Sequence, residues 1–134
     1  MKGESNLEKL LRNMKPVVVP GEYVFCTIKE SQLEGIENPL MVFREKEGPT
    51  VIITKAVAEH NGFPVESTWG LVSLSVHSDL EAIGFLAAIT NHLAKAGISV
   101  NAVSAFYHDH LFVPYGRENE VVSLLSKLSN PPLR

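Results

Sequence analysis

The chain has 134 residues, the size of one compact domain or of two very small ones sharing a core. Apolar residues make up 45% and charged residues 20%, with a formal net charge of −3 and both signs interspersed. That composition fills a core and excludes a disordered polypeptide; it also lacks the basic footprint that nucleic acid or an anionic membrane surface demands.

The first residues, Met1-Lys2-Gly3-Glu4-Ser5-Asn6, hold no apolar run of a secretory signal, and no stretch reaches the ~20 apolar residues of a membrane helix. Ser5 stands where it can cap a first helix, with Glu8 completing a capping box. Leu7, Leu10, Leu11 and Met14 then form one apolar stripe, and Pro16 stops the helix. After Pro20-Gly21, the run Tyr23 to Ile28 is rich in aromatic and β-branched residues and predicts a strand. Cys26, the single cysteine, sits in that alternation and reads as a small buried residue rather than a nucleophile. It can form no internal disulfide, so a reducing cytoplasm is the expected location.

Ser31 to Pro39 predicts a loop. Leu40 to Glu45 and Thr50 to Thr54 flank Lys46-Glu47-Gly48-Pro49, a hairpin pattern with a four-residue connection. Arg44 in the first of these strands is expected to pair with Glu45 or Glu22, the alternative being a ligand carboxylate. A short helix from Lys55 to His60 ends at Asn61-Gly62. Residues 62–67 form the best boundary, separating an N-terminal module (residues 1–62) from a C-terminal one (residues 63–134).

Beyond it, Thr68 to His77 alternates apolar and polar residues and predicts a strand, opened by Trp69 as a packing residue. Ser78-Asp79-Leu80-Glu81 reads as a second capping box, opening a helix that runs to about Ala96. Gly97 and Ile98 supply its end. Ser99 to Tyr107 predicts a strand, His108-Asp109 a tight turn and His110 to Pro114 a returning strand. Gly116 introduces a last helix with Val121, Leu124, Leu125 and Leu128 on one stripe, and Asn130-Pro131-Pro132 ends the fold.

The middle helix carries two apolar stripes: Ala82, Leu86, Ile89, Leu93 and Ala96, then Leu80, Ile83, Gly84, Ala87 and Ala94. A surface helix keeps one polar face, so this one is expected to be covered by its own sheet and by a second module or subunit. The halves also resemble each other coarsely. Residues 22–61 repeat the order of residues 68–129, with a loop in place of the long helix, and the N-terminal helix is a candidate to cover that gap.

The chemistry-bearing residues are few. His77, His108 and His110 with Asp109 suit zinc by type, yet they form only a short local cluster. In a hairpin turn Asp109 more often caps backbone N–H groups, with the histidines solvated. No metal or other cofactor is therefore expected. His60 and His92 read as surface residues on helices. Phosphate-binding glycine loops, nucleophile elbows and paired zinc-ligand motifs are absent from the sequence. Phe106 and Tyr107 on a strand are a pattern shared with the stacking aromatics of an RNA-recognition module, but the acidic balance and the lack of interleaved Arg and Lys argue against RNA.

Two segments carry a family resemblance: Leu74 to Gly84, and Leu93 to Ser104 with its continuation Ala105 to Pro114. A strand, a capped helix ending in Gly97-Ile98-Ser99-Val100, a hairpin and a helix resemble the ACT domain, a βαββαβ ligand-sensing module of amino-acid metabolism. The chain as a whole, including Gly21 to Cys26 and Phe43-Arg44-Glu45, is similar to stand-alone bacterial tandem ACT-like proteins. It is also similar to the paired regulatory ACT domains of aspartate kinases and to eukaryotic arginine sensors.

The resemblance implies an α+β fold of two ferredoxin-like ACT modules in tandem, the first incomplete, with antiparallel sheets and helices on one face. It implies binding without catalysis. The ligand-binding positions it carries over are His77, Ser78, Asp79, Leu80, Glu81 and Ala82 in the first β-α loop, then Asn101, Ala102, Val103 and Ser104 on the following strand. A helix N-terminus offers N–H groups to a ligand carboxylate. Many ACT modules have an Asp-x-Pro-Gly-like loop here, whereas this chain has His77-Ser78-Asp79-Leu80. Glu81, in a capping box, lies over the same N–H groups; it either repels a carboxylate or joins Asp79 in holding an ammonium.

The expected function is thus a regulatory sensor of a small molecule, an amino acid foremost, acting as a homodimer. The alternative is a protein-interaction or assembly module with a vestigial ligand site. A third reading, a small enzyme using His77 or the His108-Asp109-His110 turn, requires a bound metal.

Overall fold

The computed structural model describes residues 3–79 and 81–129. Leu80 and the Asn130-Pro131-Pro132 terminator lie outside the described residues. The chain divides into two compact units, residues 21–69 and the residues up to 20 together with those from 70 onward. No helix among the described residues is long and apolar enough to cross a membrane.

In the unit 21–69, strand β1 (Pro16–Thr27) contributes its second half, beside β3 (Gly48–Thr54) and then β2 (Met41–Glu45). Both pairings are antiparallel, with Val24 opposite Ile53 and Cys26 opposite Val51, and Met41 opposite Ile52. The hairpin closes with Glu45 opposite Gly48. Its connection is therefore Lys46-Glu47, two residues rather than the expected four. Gly48 explains the tightening: its φ is +135°, and a Cβ there would lie 2.7 Å from the Ile28 carbonyl oxygen. Only glycine tolerates that backbone and that approach.

The predicted loop contains a 3-10 turn, Glu30–Gly35, and helix α2 (Lys55–His60) is capped by Thr54, whose hydroxyl accepts the Val57 N–H. Val24, Cys26, Ile28, Ile36, Val51, Ile53 and Ala58 make the core of this unit. Burial pushes the Cys26 thiol pKa up, which keeps it protonated and unreactive. Arg44 pairs with neither Glu45 nor Glu22 but with Glu30, at 2.9 Å. Both side chains are well exposed, so solvent screens the pair and it contributes little to stability.

In the larger unit the strands run in the order β1, β4 (Trp69–Leu74), β6 (Asp109–Pro114), β5 (Asn101–Ser104). Helices α1 (Leu7–Asn13), α3 (Phe85–Lys95) and α4 (Glu118–Ser129) pack with them. Leu10, Met14, Val72, Leu74, Phe85, Ile89, Leu93, Leu111, Val113, Val121 and Leu125 belong to one core. The first helix is capped by Asn6, not Ser5; the Asn6 side chain accepts the Lys9 N–H. Helix α1 packs against α3 and α4, so it completes the core of this unit instead of filling a gap in the first half.

The largest departure is α3, which starts at Phe85, six residues after the expected Asp79. Gly84, at φ +87°, is its N-cap. The Ser78–Glu81 capping box does not form, because the Ser78 hydroxyl is taken by Asp109 (2.9 Å) and Glu81 donates its backbone N–H to Asp79 Oδ1 (2.8 Å). The two-faced helix is corrected accordingly. Phe85, Ile89 and Leu93 are buried, while Ile83 precedes the helix and is 86% exposed, and Ala87 and Ala94 are exposed. His92 is not a plain surface residue either, for its Nε2–H donates to the Leu124 carbonyl at 3.0 Å and ties α3 to α4.

Candidate ligand site

The chain between β4 and α3 runs from residue 75 to residue 84. Val76 and Leu74 share a local hydrogen bond there, and the Ala82 N–H donates to the Asp79 carbonyl at 2.9 Å. The N-terminal segment pins this loop from outside. Glu4 donates its N–H to the His77 carbonyl and accepts from the Asp79 N–H, both at 2.8 Å, as an isolated parallel bridge.

Asp109 organises the site. It opens β6 opposite Ser104, the last residue of β5, and is only 5% exposed. The Ser78 hydroxyl donates to its Oδ2 at 2.9 Å and the Ser104 hydroxyl to its Oδ1 at 2.7 Å. Asp109 is therefore no turn residue capping backbone amides. The turn is Ala105 to His108, closed by the Ala105 N–H on the His108 carbonyl at 3.0 Å. A buried carboxylate with two hydroxyl donors still has lone pairs for a further donor.

Facing this group is the start of α3. The first N–H groups of a helix have no intrahelical acceptor, and Gly84 offers no side chain to take them. The N–H groups of Phe85, Leu86 and Ala87 thus stand at the positive end of the helix dipole. Ser78, Asp79, Ala82, Gly84, Ser104 and Asp109 line a cavity of about 150 Å³ together with those three residues. A cavity of about that volume accepts a benzene-sized molecule. It therefore brings the start of α3 together with two carboxylates, Asp79 and Asp109, and with the serine hydroxyls that donate to Asp109.

The ten positions expected to bind ligand separate clearly. Ser78, Asp79, Ala82 and Ser104 line the cavity. His77, Glu81, Asn101, Ala102 and Val103 do not, and Leu80 lies outside the described residues. Glu81 is exposed, lies outside α3 and is not among the residues lining the cavity, and its expected capping box with Ser78 does not form. Asp109 and residues 84–87 are the members that sequence reasoning missed. The one signal that pointed to them was Gly84, a poor residue for a helix interior.

The aromatic neighbourhood is also corrected. Phe106 and Tyr107 lie on the exposed hairpin loop, not on a strand, and their rings stand 5.0 Å apart. The His77 ring lies 5.1 Å from that of Tyr107. His110 shares a 2.7 Å hydrogen bond with the Ser73 hydroxyl through Nδ1. Burial, and next His108, hold its pKa below 6.5, with Asp109 opposing. Among the described residues no three His, Cys, Asp or Glu side chains are grouped to hold a metal ion.

Residues 2–69 match one ACT-domain family and residues 65–127 a second. A Vibrio cholerae protein of unknown function, described as a possible transport protein, is similar to the chain at 36% identity and a TM-score of 0.83. The match covers 92% of this chain and 96% of that one. A protein from Agrobacterium tumefaciens has the same fold at 15% identity and a TM-score of 0.61, over 87% of this chain and 89% of that one. No curated protein matches the chain.

Proposed function

The chain belongs to the ACT-domain family, with two ACT domains in tandem, and from that premise we propose that it senses an amino acid in the Ser78–Ser104–Asp109 cavity. ACT domains are regulatory ligand-binding modules rather than catalytic ones. The observation that carries the finer reading is the pairing of Asp109 with the uncapped start of α3 across one cavity. An α-amino acid is a zwitterion of matching polarity. Its carboxylate takes the N–H groups of residues 85–87, and its ammonium takes Asp109, with the Ser78 and Ser104 hydroxyls orienting the Asp109 carboxylate. Ile83, beside the cavity-lining Ala82 and Gly84, is exposed and can pass occupancy on to a partner. In this reading the protein has no catalytic activity, works in the cytoplasm and acts as a homodimer.

Melting curves with each proteinogenic amino acid test the proposal. At ~100 times the dissociation constant, a ligand adds about 2.7 kcal/mol of stability. A shift with one or a few amino acids that is lost in Ser104→Ala supports the site; no shift with any of them refutes it. The exposed Ile83, Phe106 and Tyr107 favour a second reading, an assembly module without a ligand. That reading predicts a concentration-dependent mass that no amino acid changes.

A further inference from the structure

The unit 21–69 holds a cavity of its own, about 290 Å³, close to the lower end of the roughly 300–1,000 Å³ range of small-molecule sites. Its chemistry is unlike that of the first. Three aromatic residues line it: Phe25 on β1, and Phe63 and Trp69 at the two ends of the segment that follows α2. Phe25 and Trp69 meet edge to face, with ring centroids 6.0 Å apart and planes at 71°. Glu66 belongs to the same wall. Among the described residues no basic side chain lines the cavity, and neither ion pair involves Glu66.

Aromatic faces carry the negative lobe of the ring quadrupole and attract cations. A carboxylate beside them adds a full negative charge and disfavours any anionic guest. The few polar groups, Thr27 and Ser67 with Glu66, do not replace the hydration shell of a compact primary ammonium, which is strongly hydrated. A methylated ammonium carries its charge behind apolar methyl groups and makes no such demand. We propose that this cavity is a second ligand site, for a small organic cation of the methylated-ammonium class. The site is independent of the amino-acid reading, since it lies in the other unit and shares no residue with the first cavity.

Trp69 is the only tryptophan in the chain, so its fluorescence reports on this cavity alone. The full chain is titrated with choline and with its neutral isostere 3,3-dimethyl-1-butanol. Methyl-detected saturation-transfer NMR serves as a second readout that does not depend on a change in emission. Choline is expected to saturate the signal and to bind about tenfold tighter than the neutral isostere, the factor a cation–π contact of about 1.4 kcal/mol supplies. Glu66→Gln, at an exposed position, is expected to weaken choline several-fold and to leave the isostere and the melting temperature unchanged. Equal binding of choline and the isostere overturns the proposal in favour of a merely apolar groove. Silence of choline in both readouts overturns it outright, whatever the amino-acid panel shows.

Discussion

Asp109→Asn isolates the charge at the centre of the first cavity while keeping the shape of the side chain. In the native chain both carboxylate oxygens accept from a serine hydroxyl, at 2.9 Å from Ser78 and 2.7 Å from Ser104. The substitution turns one oxygen into a donor, so one hydroxyl must rotate to accept, and both bonds lose their charge assistance. Bonds to a charged group contribute about 1.5–3 kcal/mol net, against about 0.5–1.5 kcal/mol for neutral ones. Ser104 is solvent-exposed and has water as an alternative, whereas Ser78 is 8% exposed and has none of consequence. The expected loss is therefore about 1–2 kcal/mol, most of it from the Ser78 bond. For a chain of this length the unfolding entropy is about 0.28 kcal/mol/K. The melting temperature should fall by about 4–7 °C, read by calorimetry or circular dichroism. Ser78→Ala should cost about as much, and the double variant less than the two losses together, because the residues share one bond. An unchanged or raised melting temperature in Asp109→Asn would refute the reasoning, since it would mean that burying the charge costs more than its two donors return.

Gly84→Ala should destabilise the chain by about 1–2 kcal/mol through the positive φ alone, because the added Cβ meets nothing nearer than Leu7 Cδ2 at 3.6 Å; denaturant titration checks it. Gly3→Ala puts a Cβ 2.6 Å from the His77 carbonyl oxygen. It should release the Glu4 bridge, seen as faster amide exchange at Glu4 and Asp79 with little change in the core. His110 has a folded pKa below its unfolded value, chiefly through burial. The unfolded state therefore binds the proton first, so stability is full above about pH 6.5 and declines as pH falls below it. His110→Asn should flatten that acid-side decline in melting temperature, and an unchanged slope would place its origin elsewhere.

Much of the fold was legible because its signals are local. The periodicity of Leu10 and Met14, of Val72 and Leu74, and of Val121 and Leu125 marks residues that do meet in one core. Asn61-Gly62 marks the end of α2, and Gly97 that of α3, each with glycine at positive φ. The errors arose where a tertiary partner outbid a local one. Arg44 found Glu30, fourteen residues away, because the 3-10 turn brings Glu30 to the hairpin. Asn6 displaced Ser5 as a cap by a single residue, a margin within which capping residues are interchangeable.

The candidate site shows the same conflict in its sharpest form. Ser78 and Glu81 have the spacing of a capping box, and nothing within the segment speaks against one. Whether the box forms depends on Asp109, thirty-one residues on, which offers the Ser78 hydroxyl a buried anion in place of a backbone N–H. Winning that competition removes the cap from the helix and moves its start to Gly84, where no side chain can satisfy the first amides. A helix start left bare beside a buried carboxylate is poor local design, for it forgoes about 1 kcal/mol that a serine or aspartate cap contributes. Sequences break local rules of this kind chiefly at functional sites. The departure of α3 from its expected start thus supports the proposed amino-acid site, in which the ligand would take the amides that Gly84 does not cap.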